Sequence, residues 1–274
     1  MALDGKTIRR SLDRADGTGA MQGVSAWAST HELGLAQLQV DDKSHEITAL
    51  PALLAMLNLH GSVGTMEAMG CQVASARQII DQGGAYGLSV QENQPGLPRE
   101  CEELFAWLRG PPPLDEEVVL GYDAQGDGGH GRRETRKGWS TEALEGWGTG
   151  ARWPGLATLV MGEATRPRGD QASLERRYSI SALPGTTDND AQRLHGVIRT
   201  HWARENRVPW GLEVAMGEDI NRPRKGESAQ NLAFIRKLAL HRWRREPSVP
   251  AGIAAKQKRA GWDHSYLLKI LVQT

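Results

Sequence analysis

The sequence of 274 residues is poor in cysteine and contains no long apolar run. Two cysteines, Cys71 and Cys101, are too few for a disulfide framework or a four-thiolate zinc site. No stretch approaches the roughly 18 uninterrupted apolar residues of a transmembrane helix, and the N-terminus lacks a signal-peptide core. These absences argue against membrane proteins, small secreted domains and zinc fingers, and they predict a reduced, cytoplasmic protein.

Several common catalytic motifs are also missing. The chain has neither a G-x-S-x-G nucleophile elbow nor a G-x-x-x-x-G-K-[ST] phosphate loop. Cys71 has no clear histidine partner nearby in the sequence, which predicts a buried and unreactive thiol. Serine hydrolases and P-loop nucleotidases are therefore disfavoured.

Net charge is balanced, but the charges are not evenly distributed. The chain has 33 basic and 33 acidic residues, which argues against a simple polycationic nucleic-acid binder. Between Arg222 and Arg259, however, eleven basic residues face only two acidic ones. A local field of this kind can attract a polyanion, although a solvated helix face with a basic tail would give the same pattern.

The first third of the chain predicts strands followed by alternating helices and strands. Residues 21–29 and 32–40 predict an antiparallel strand pair. Apolar spacing then predicts helices at 50–59 and 72–82, and strands at 63–67 and 86–90. This order predicts an α/β fold with a mixed sheet on which helices pack.

The middle of the chain predicts an inserted β-rich subdomain. Prolines interrupt it, residues 123–131 are glycine-rich and predict a loop, and strands are predicted at 132–139, 156–162 and 177–182. Long helices are then predicted at 188–207 and 231–245. The predicted domains are 1–94, the first part of a catalytic domain; 95–187, the insertion; and 188–274, a helical part with a basic tail.

Three acidic residues occupy positions that could carry chemistry. Asp4 is predicted at the end of a very short first strand, Glu67 at the end of a strand beside it, and Glu205 within the late helix. Converging carboxylates bind Mg²⁺, and two such ions can drive phosphoryl transfer. Since 33 acidic residues allow many such triplets, spacing alone does not decide for a site.

Two further side chains share a helix face with Glu205. His201 and Trp202 precede it by four and three residues. His201 could contact a phosphate or a metal-bound water, and Trp202 could stack on a base. A packed, hydrogen-bonded histidine and a core tryptophan are the alternatives.

A series of short strings then runs through nearly the whole chain. They are DGKTIR at 4–9, VSAWA at 24–28, KSHEITA at 43–49, EAMGCQ at 67–72, ENQP at 92–95, GHGRRETR at 129–136, WPGL at 153–156, HW at 201–202, EN at 205–206, ED at 218–219, Arg222, NLA at 231–233 and AGWD at 260–263. In these strings the chain resembles the H-repeat-associated DDE transposases of bacterial insertion sequences, the ISAs-type group.

The resemblance implies a ribonuclease H-like fold with an insertion before the last catalytic acid. It implies cleavage of a phosphodiester at the end of a mobile element and joining of the freed 3′-hydroxyl to target DNA. Asp4, Glu67 and Glu205 would be the catalytic residues and the ligands of Mg²⁺, with Mn²⁺ as a possible substitute.

The resemblance also implies partners and a location. The chain would bind double-stranded DNA at element ends and target, as a homodimer on DNA, in the cytoplasm at the nucleoid. The implied DNA-binding residues are Arg199, His201, Trp202, Arg222, Arg224 and Lys225.

The chain departs from the family pattern at several points. Glu67 stands where the family has Asp, and Pro209 stands where it usually has His, which predicts an end or kink of the helix just after Glu205. Family members carry a further region before the first acid, so an N-terminally truncated chain is expected. Three hypotheses result: a transposase; a non-catalytic, DNA-binding remnant of one; and a globular interaction module without a nucleic-acid role.

Overall fold

A computed structural model of the chain divides into two compact units. It describes residues 1–8, 11, 19–40, 46–110, 119–129, 132–168, 171–220, 222–223 and 225–272. Unit 1 comprises Met1–Leu57 and Trp202–Thr274, and unit 2 comprises Asn58–His201. Among the described residues, no helix has the length and apolarity needed to cross a membrane.

Unit 1 contains a three-stranded antiparallel sheet with β2 in the middle. Its strands are β1 (Ala2–Ile8), β2 (Met21–Ala28) and β3 (Leu33–Val40). The predicted strand pair is confirmed as β2 and β3. The predicted end of the first strand at Asp4 is wrong, because β1 pairs with β2 along its whole length and continues to Ile8.

Helices pack on this sheet. Unit 1 contains α1 (Glu46–Ala55), which begins earlier than predicted, followed late in the chain by α5 (Ser228–Arg245), α6 (Ile253–Trp262) and α7 (His264–Leu271). Ala229 and Ala233 of α5 pack on Ile8 of β1 and Met21 of β2. Since side chains alternate along a strand, Asp4, Lys6 and Ile8 share the face on which α5 lies.

The two C-terminal helices close around a buried acid. Glu246 is almost fully buried, accepts hydrogen bonds from Ser248 and from Tyr266 Oη at 2.9 Å, and lies 3.8 Å from Lys256 Nζ. Lys256 also donates to the Trp243 carbonyl at 3.0 Å. This arrangement anchors α6 and α7 to the end of α5.

Unit 2 contains a six-stranded mixed sheet. Its strands are β4 (Val63–Met66), β5 (Ala85–Val90), β6 (Gly121–Gly129), β7 (Arg132–Thr141), β8 (Thr158–Arg168) and β9 (Gln171–Ser181). Their order in the sheet is β4-β5-β9-β8-β7-β6; β4 and β5 are parallel, and every other neighbouring pair is antiparallel. The predicted mixed α/β architecture is thus confirmed.

Helices flank both faces of this sheet. The helices of unit 2 are α2 (Val73–Asp81), α3 (Leu97–Leu108) and the part of α4 (Asp188–Trp210) up to His201. Phe105 of α3 stacks on Tyr178 of β9, whereas Leu194 of α4 packs with Val160 of β8. Tyr178 is paired with Met161 of β8, so these two side chains share a face of the sheet. Val160 precedes Met161 directly, and neighbouring residues of a strand point to opposite faces. Helices α3 and α4 therefore lie on opposite faces.

Three local predictions differ from the structure. The glycine-rich segment predicted as a loop forms β6, because nine consecutive residues pair with β7. Helix α3 was not predicted, since prolines on both sides suggested irregular chain. The helix containing Glu205 does not end just after it but runs to Trp210, and a π-helical segment, Gly211–Ala215, follows Pro209. A proline removes one helical hydrogen bond, and a π turn can accommodate such an interruption.

Candidate metal and nucleic-acid site

Glu67 lies directly after β4, at the carboxyl end of the parallel strand pair. Its carbonyl accepts hydrogen bonds from the backbone N–H of Gly70 at 2.9 Å and of Cys71 at 3.1 Å, which closes a short 3₁₀ turn. Glycine is needed in this turn because a Cβ at residue 70 would lie 2.6 Å from Met66 Cβ. The backbone of Glu67 is therefore held at one edge of the sheet, where open α/β sheets commonly build sites.

The carboxylate of Glu67 has an unusual environment. Its Oε1 atom is buried, and among the described residues no donor lies within hydrogen-bonding distance. A buried carboxylate oxygen without a partner is energetically costly. Carboxylate oxygen is also the ligand that Mg²⁺ prefers, so this atom suits a cation ligand.

The loop after β5 is tied to the turn after β4. Asn93 Nδ2 donates to the carbonyl of Ala68, and Gln94 Nε2 donates to the carbonyl of Cys71 at 2.7 Å. The carboxyl ends of parallel strands meet at the same edge, and these side chains join the two loops there. The turn that begins at Glu67 is thus supported from its neighbouring strand.

His201 is a buried, hydrogen-bonded residue of α4. Its side chain is 3% exposed, and its Nδ1 lies 3.0 Å from Oγ1 of the buried Thr65 in β4. This packed, hydrogen-bonded environment is the alternative to a phosphate contact that the sequence also allowed for His201. The pair attaches α4 to the strand that precedes Glu67.

Two other α4 side chains contact β6. His195 Nδ1 lies 3.5 Å from Asp123 Oδ2, and Arg199 Nη1 donates to Gln125 Oε1 at 2.6 Å. Burial lowers the pKa of His195 and outweighs the opposing effect of the Asp123 charge. Arg199 is half-buried with its guanidinium held against the sheet, and a DNA contact through it stays a prediction.

In unit 1, Asp4 lies within a polar row on the sheet. Asp4 is directly opposite Ser25 of β2, which is opposite Gln37 of β3. Gln37 Oε1 accepts a hydrogen bond of 2.7 Å from Lys237 Nζ of α5. Polar and charged groups thus occupy a helix–sheet interface that would ordinarily be apolar.

Lys6 extends this polar layer. Its Nζ lies 2.6 Å from Oε2 of Glu218 and 3.1 Å from Oε1 of Glu213, and Glu218 is only 1% exposed. Burial opposes the charge of Lys6, but hydrogen bonds and the charges of Glu218 and Glu213 outweigh it and raise the pKa of Lys6. Burial lowers the pKa of Lys237 to about 8, despite the nearby Glu218 and Asp4.

The remaining predicted residues are only partly described. Glu205 and Trp202 lie in α4, but their side chains are outside the description, and Arg224 is outside it altogether. Arg222 and Lys225 are exposed. Among the described side chains, no three His, Cys, Asp or Glu groups form a metal-binding cluster.

The sequence did not single out the charged residues around Lys6. Lys6 and Glu218 both fall in strings that carry the family resemblance, but 212 residues separate them. No local pattern pairs residues at that distance. Only a prediction of which helix and turn lie on β1 could have found them.

Comparison with known proteins places the chain in a family. It is 33% identical over 274 residues to the Escherichia coli K12 protein named "H repeat-associated putative transposase YhhI", covering 99% of this chain and 71% of that protein. The chain belongs to the H repeat-associated transposase family. A second relative, "Putative transposase YncI" of Escherichia coli O157:H7, is 34% identical over 99% of this chain and 68% of its own length. No protein-family model matches the chain.

Proposed function

We propose that this member of the H repeat-associated transposase family cleaves double-stranded DNA at the ends of a mobile element and joins the freed end to target DNA. The observation that carries the proposal is the 33% identity to YhhI across 99% of the chain. The relatives are named transposases, and the cut-and-join reaction is carried over from the family resemblance.

The proposed catalytic residues are Asp4, Glu67 and Glu205, on a ribonuclease H-like fold. The parallel pair of β4 and β5 supports this proposal, because Glu67 extends from the carboxyl end of β4 on a turn fixed by backbone hydrogen bonds. Asp4 is held in the middle of β1 by strand pairing on one side of it. Rigid backbone at both residues suits a site whose ligand positions must be accurate.

The residues present suit a divalent cation. Three carboxylates are a donor set for Mg²⁺ or Mn²⁺. Oε1 of Glu67, which is buried and has no hydrogen-bond partner among the described residues, would be a ligand of either ion. A bound Mg²⁺ supplies charge stabilisation for phosphoryl transfer and lowers the pKa of a bound water. The role of the three carboxylates is to hold the ion and to set its distance from the DNA phosphate.

We further propose that DNA phosphates contact basic residues near the end of α4 and after it. Arg222 and Lys225 are exposed, as a phosphate contact requires. Arg199, His201, Trp202 and Arg224 complete the proposed set, with His201 acting through its bond to Thr65 to fix the helix. Phosphate contacts release counterions, so binding is expected to weaken as salt increases. A homodimer on DNA is part of the same proposal.

A non-catalytic, DNA-binding remnant is the second candidate, and Glu67 is the observation that favours it. Glutamate is one methylene longer than the aspartate of the family pattern. Metal–ligand distances vary by only about 0.2 Å, so the extra length must be absorbed by the backbone or the side chain.

Cleavage of element-end DNA in Mg²⁺ or Mn²⁺ tests both candidates. The native chain, Glu67→Asp and Glu205→Ala are compared on one DNA substrate. Cleavage by the native chain that Glu205→Ala abolishes supports the transposase. Cleavage by Glu67→Asp alone supports the remnant.

Binding to duplex DNA without metal serves as the control. Affinity that falls steeply with salt in all three proteins shows that the variants remain folded and bind DNA. An affinity for DNA that does not depend on salt, together with no cleavage by any variant, would contradict both candidates.

A further inference from the structure

The segment that follows α4 contacts β1 through the ammonium group of Lys6. Lys6 of β1 contacts Glu213 in the π-helical segment at 3.1 Å and Glu218 in the turn after it at 2.6 Å. These contacts lie two residues from Asp4 along β1 and eight and thirteen residues beyond Glu205.

The segment itself is closed by backbone hydrogen bonds. The N–H of Glu218 donates to the carbonyl of Leu212 at 2.9 Å, and the N–H of Gly217 donates to the carbonyl of Glu213 at 3.1 Å. Gly217 has a φ of 59°, a left-handed conformation that glycine adopts without strain. Residues 212–218 therefore form one closed loop that presents two carboxylates to Lys6.

The contact between Lys6 and Glu218 involves a buried carboxylate. Glu218 is 1% exposed, so its charge must be compensated inside the protein, and Oε2 finds Lys6 as its cation. An apolar side chain at position 6 would remove the cation in direct contact with that carboxylate and leave only the more distant charges of Arg236 and Lys237. The loop would then be expected to move so that Glu218 reaches water. The pair thus fixes the position of the loop more strictly than an apolar contact would.

We propose that Lys6 is a positioning residue of the metal site: by holding Glu213 and Glu218, it fixes the end of the helix that carries Glu205 relative to the strand that carries Asp4. Both elements belong to unit 1, so the clamp acts within one compact body. This inference rests on the proposed function, which makes Asp4 and Glu205 metal ligands. Lys6 itself is not a proposed ligand of the metal.

The chain contains a matched control for the role of the clamp. Lys256, like Lys6, is a lysine beside a buried glutamate, here Glu246, and it lies in the same unit. Its contacts join α5, α6 and α7 and involve neither β1 nor the loop at 212–218. Lys256→Met should lower stability in the way that Lys6→Met does, without affecting the spacing of the proposed ligands.

A spin-label distance measurement tests the clamp without metal or DNA. Labels are attached at Gln22→Cys of β2 and Val214→Cys of the π-helical segment, both exposed and both in unit 1. Gln22 is opposite Thr7 and so faces away from the side of the sheet that carries Lys6. The native cysteines are buried, and burial raises the pKa of Cys71 and Cys101 to about 12, so they remain unlabelled thiols.

The expected result is one narrow distance distribution in the labelled native chain, in Lys6→Arg and in Lys256→Met, and a broadened or shifted one in Lys6→Met. Glu213→Gln, which keeps the Glu218 contact, serves if Lys6→Met does not fold and should give a smaller broadening. An unchanged distribution in the folded Lys6 and Glu213 variants would overturn the clamp.

Affinity for Mn²⁺ alone is the second readout. Side chains that support metal ligands typically affect affinity by about 10- to 100-fold, and a loss of this size is expected for Lys6→Met but not for Lys256→Met. Equal Mn²⁺ affinity in the native chain and Lys6→Met would also contradict the proposal. If the native chain binds no Mn²⁺ while the distance result is as expected, the metal chemistry of the proposed function fails and the clamp is a structural one.

Discussion

The imidazole of His195 occupies the space in which any residue other than glycine at position 138 would place its Cβ. A Cβ on Gly138 would lie 0.8 Å from His195 Cε1, so α4 approaches β7 at a point where the strand has no side chain. The Asp123 carboxylate, 3.5 Å from His195 Nδ1, then fixes the ring over the sheet.

Gly138→Ala should therefore lower the free energy of unfolding by roughly 2–3 kcal/mol, since the ring or the helix must move away. Gly162 is the matched control, because it pairs directly with Gly138 and a Cβ there meets nothing within 4 Å. Urea unfolding of both variants checks the prediction. Equal stability of Gly138→Ala and Gly162→Ala would show that His195 does not pack over Gly138.

Glu246 should make the stability of the protein depend on acid pH. Burial of its carboxyl opposes ionisation, but hydrogen bonds from Ser248 and Tyr266 and the charge of Lys256 outweigh it and lower its pKa from 4.5 to about 2. As pH falls, the unfolded chain binds this proton at a higher pH than the folded chain does. The stabilisation is therefore complete above about pH 4.5 and is lost as pH falls toward 2. Urea unfolding between about pH 7 and 3 measures it, and Glu246→Gln should remove this part of the pH dependence.

Lys237 should make stability depend on pH in the alkaline range. Its pKa in the folded chain is about 8, mainly because burial disfavours the charge, against the usual lysine value of 10.5. Between these values the unfolded chain holds a proton that the folded chain has lost, so stability should rise with pH across this window. The difference in unfolding free energy between the native chain and Lys237→Met isolates the effect. A constant difference from about pH 8 to 10 would contradict the lowered pKa.

The contact between Thr65 and His201 can be tested by removing one hydroxyl group. Thr65→Val keeps the shape of the side chain but removes the partner of His201 Nδ1, and it should cost about 1–3 kcal/mol of stability because both groups are buried. Thr65→Ser retains the hydroxyl and should recover part of that loss. Thermal unfolding of the two variants under one condition distinguishes them, and identical midpoints would contradict the contact.

The sequence predicted elements whose patterns are local. Strands β2 and β3 have alternating apolar residues, and α2 ends before Gly83, whose φ of 74° suits glycine. β6 could not be recognised, because four of its nine residues are glycine and pairing with β7 overrides their low strand propensity. β1 continues past Asp4 for the same reason: its residues 4–7, a glycine and three polar residues, are held by pairing with β2 rather than by their own strand propensity.

The candidate site was predicted to a similar extent. The position of Glu67 after a strand followed from apolar patterning, and the family strings pointed to the acids. The buried charges that surround Asp4 were not predictable, because Lys6 meets Glu213 and Glu218 across more than 200 residues of sequence. Such pairs depend on which surfaces meet after folding.

The composition of β6 has a further consequence for how the protein behaves at high concentration. β6 is the last strand of its sheet and pairs, among the described residues, with β7 alone. An open strand edge offers unpaired backbone groups to other molecules, and long apolar edges promote aggregation. Four of the nine residues of β6 are glycine, which has a low strand propensity, so this edge offers little side-chain surface to a second strand. The residues that obscured the strand in the sequence therefore protect the folded protein against edge-to-edge self-association.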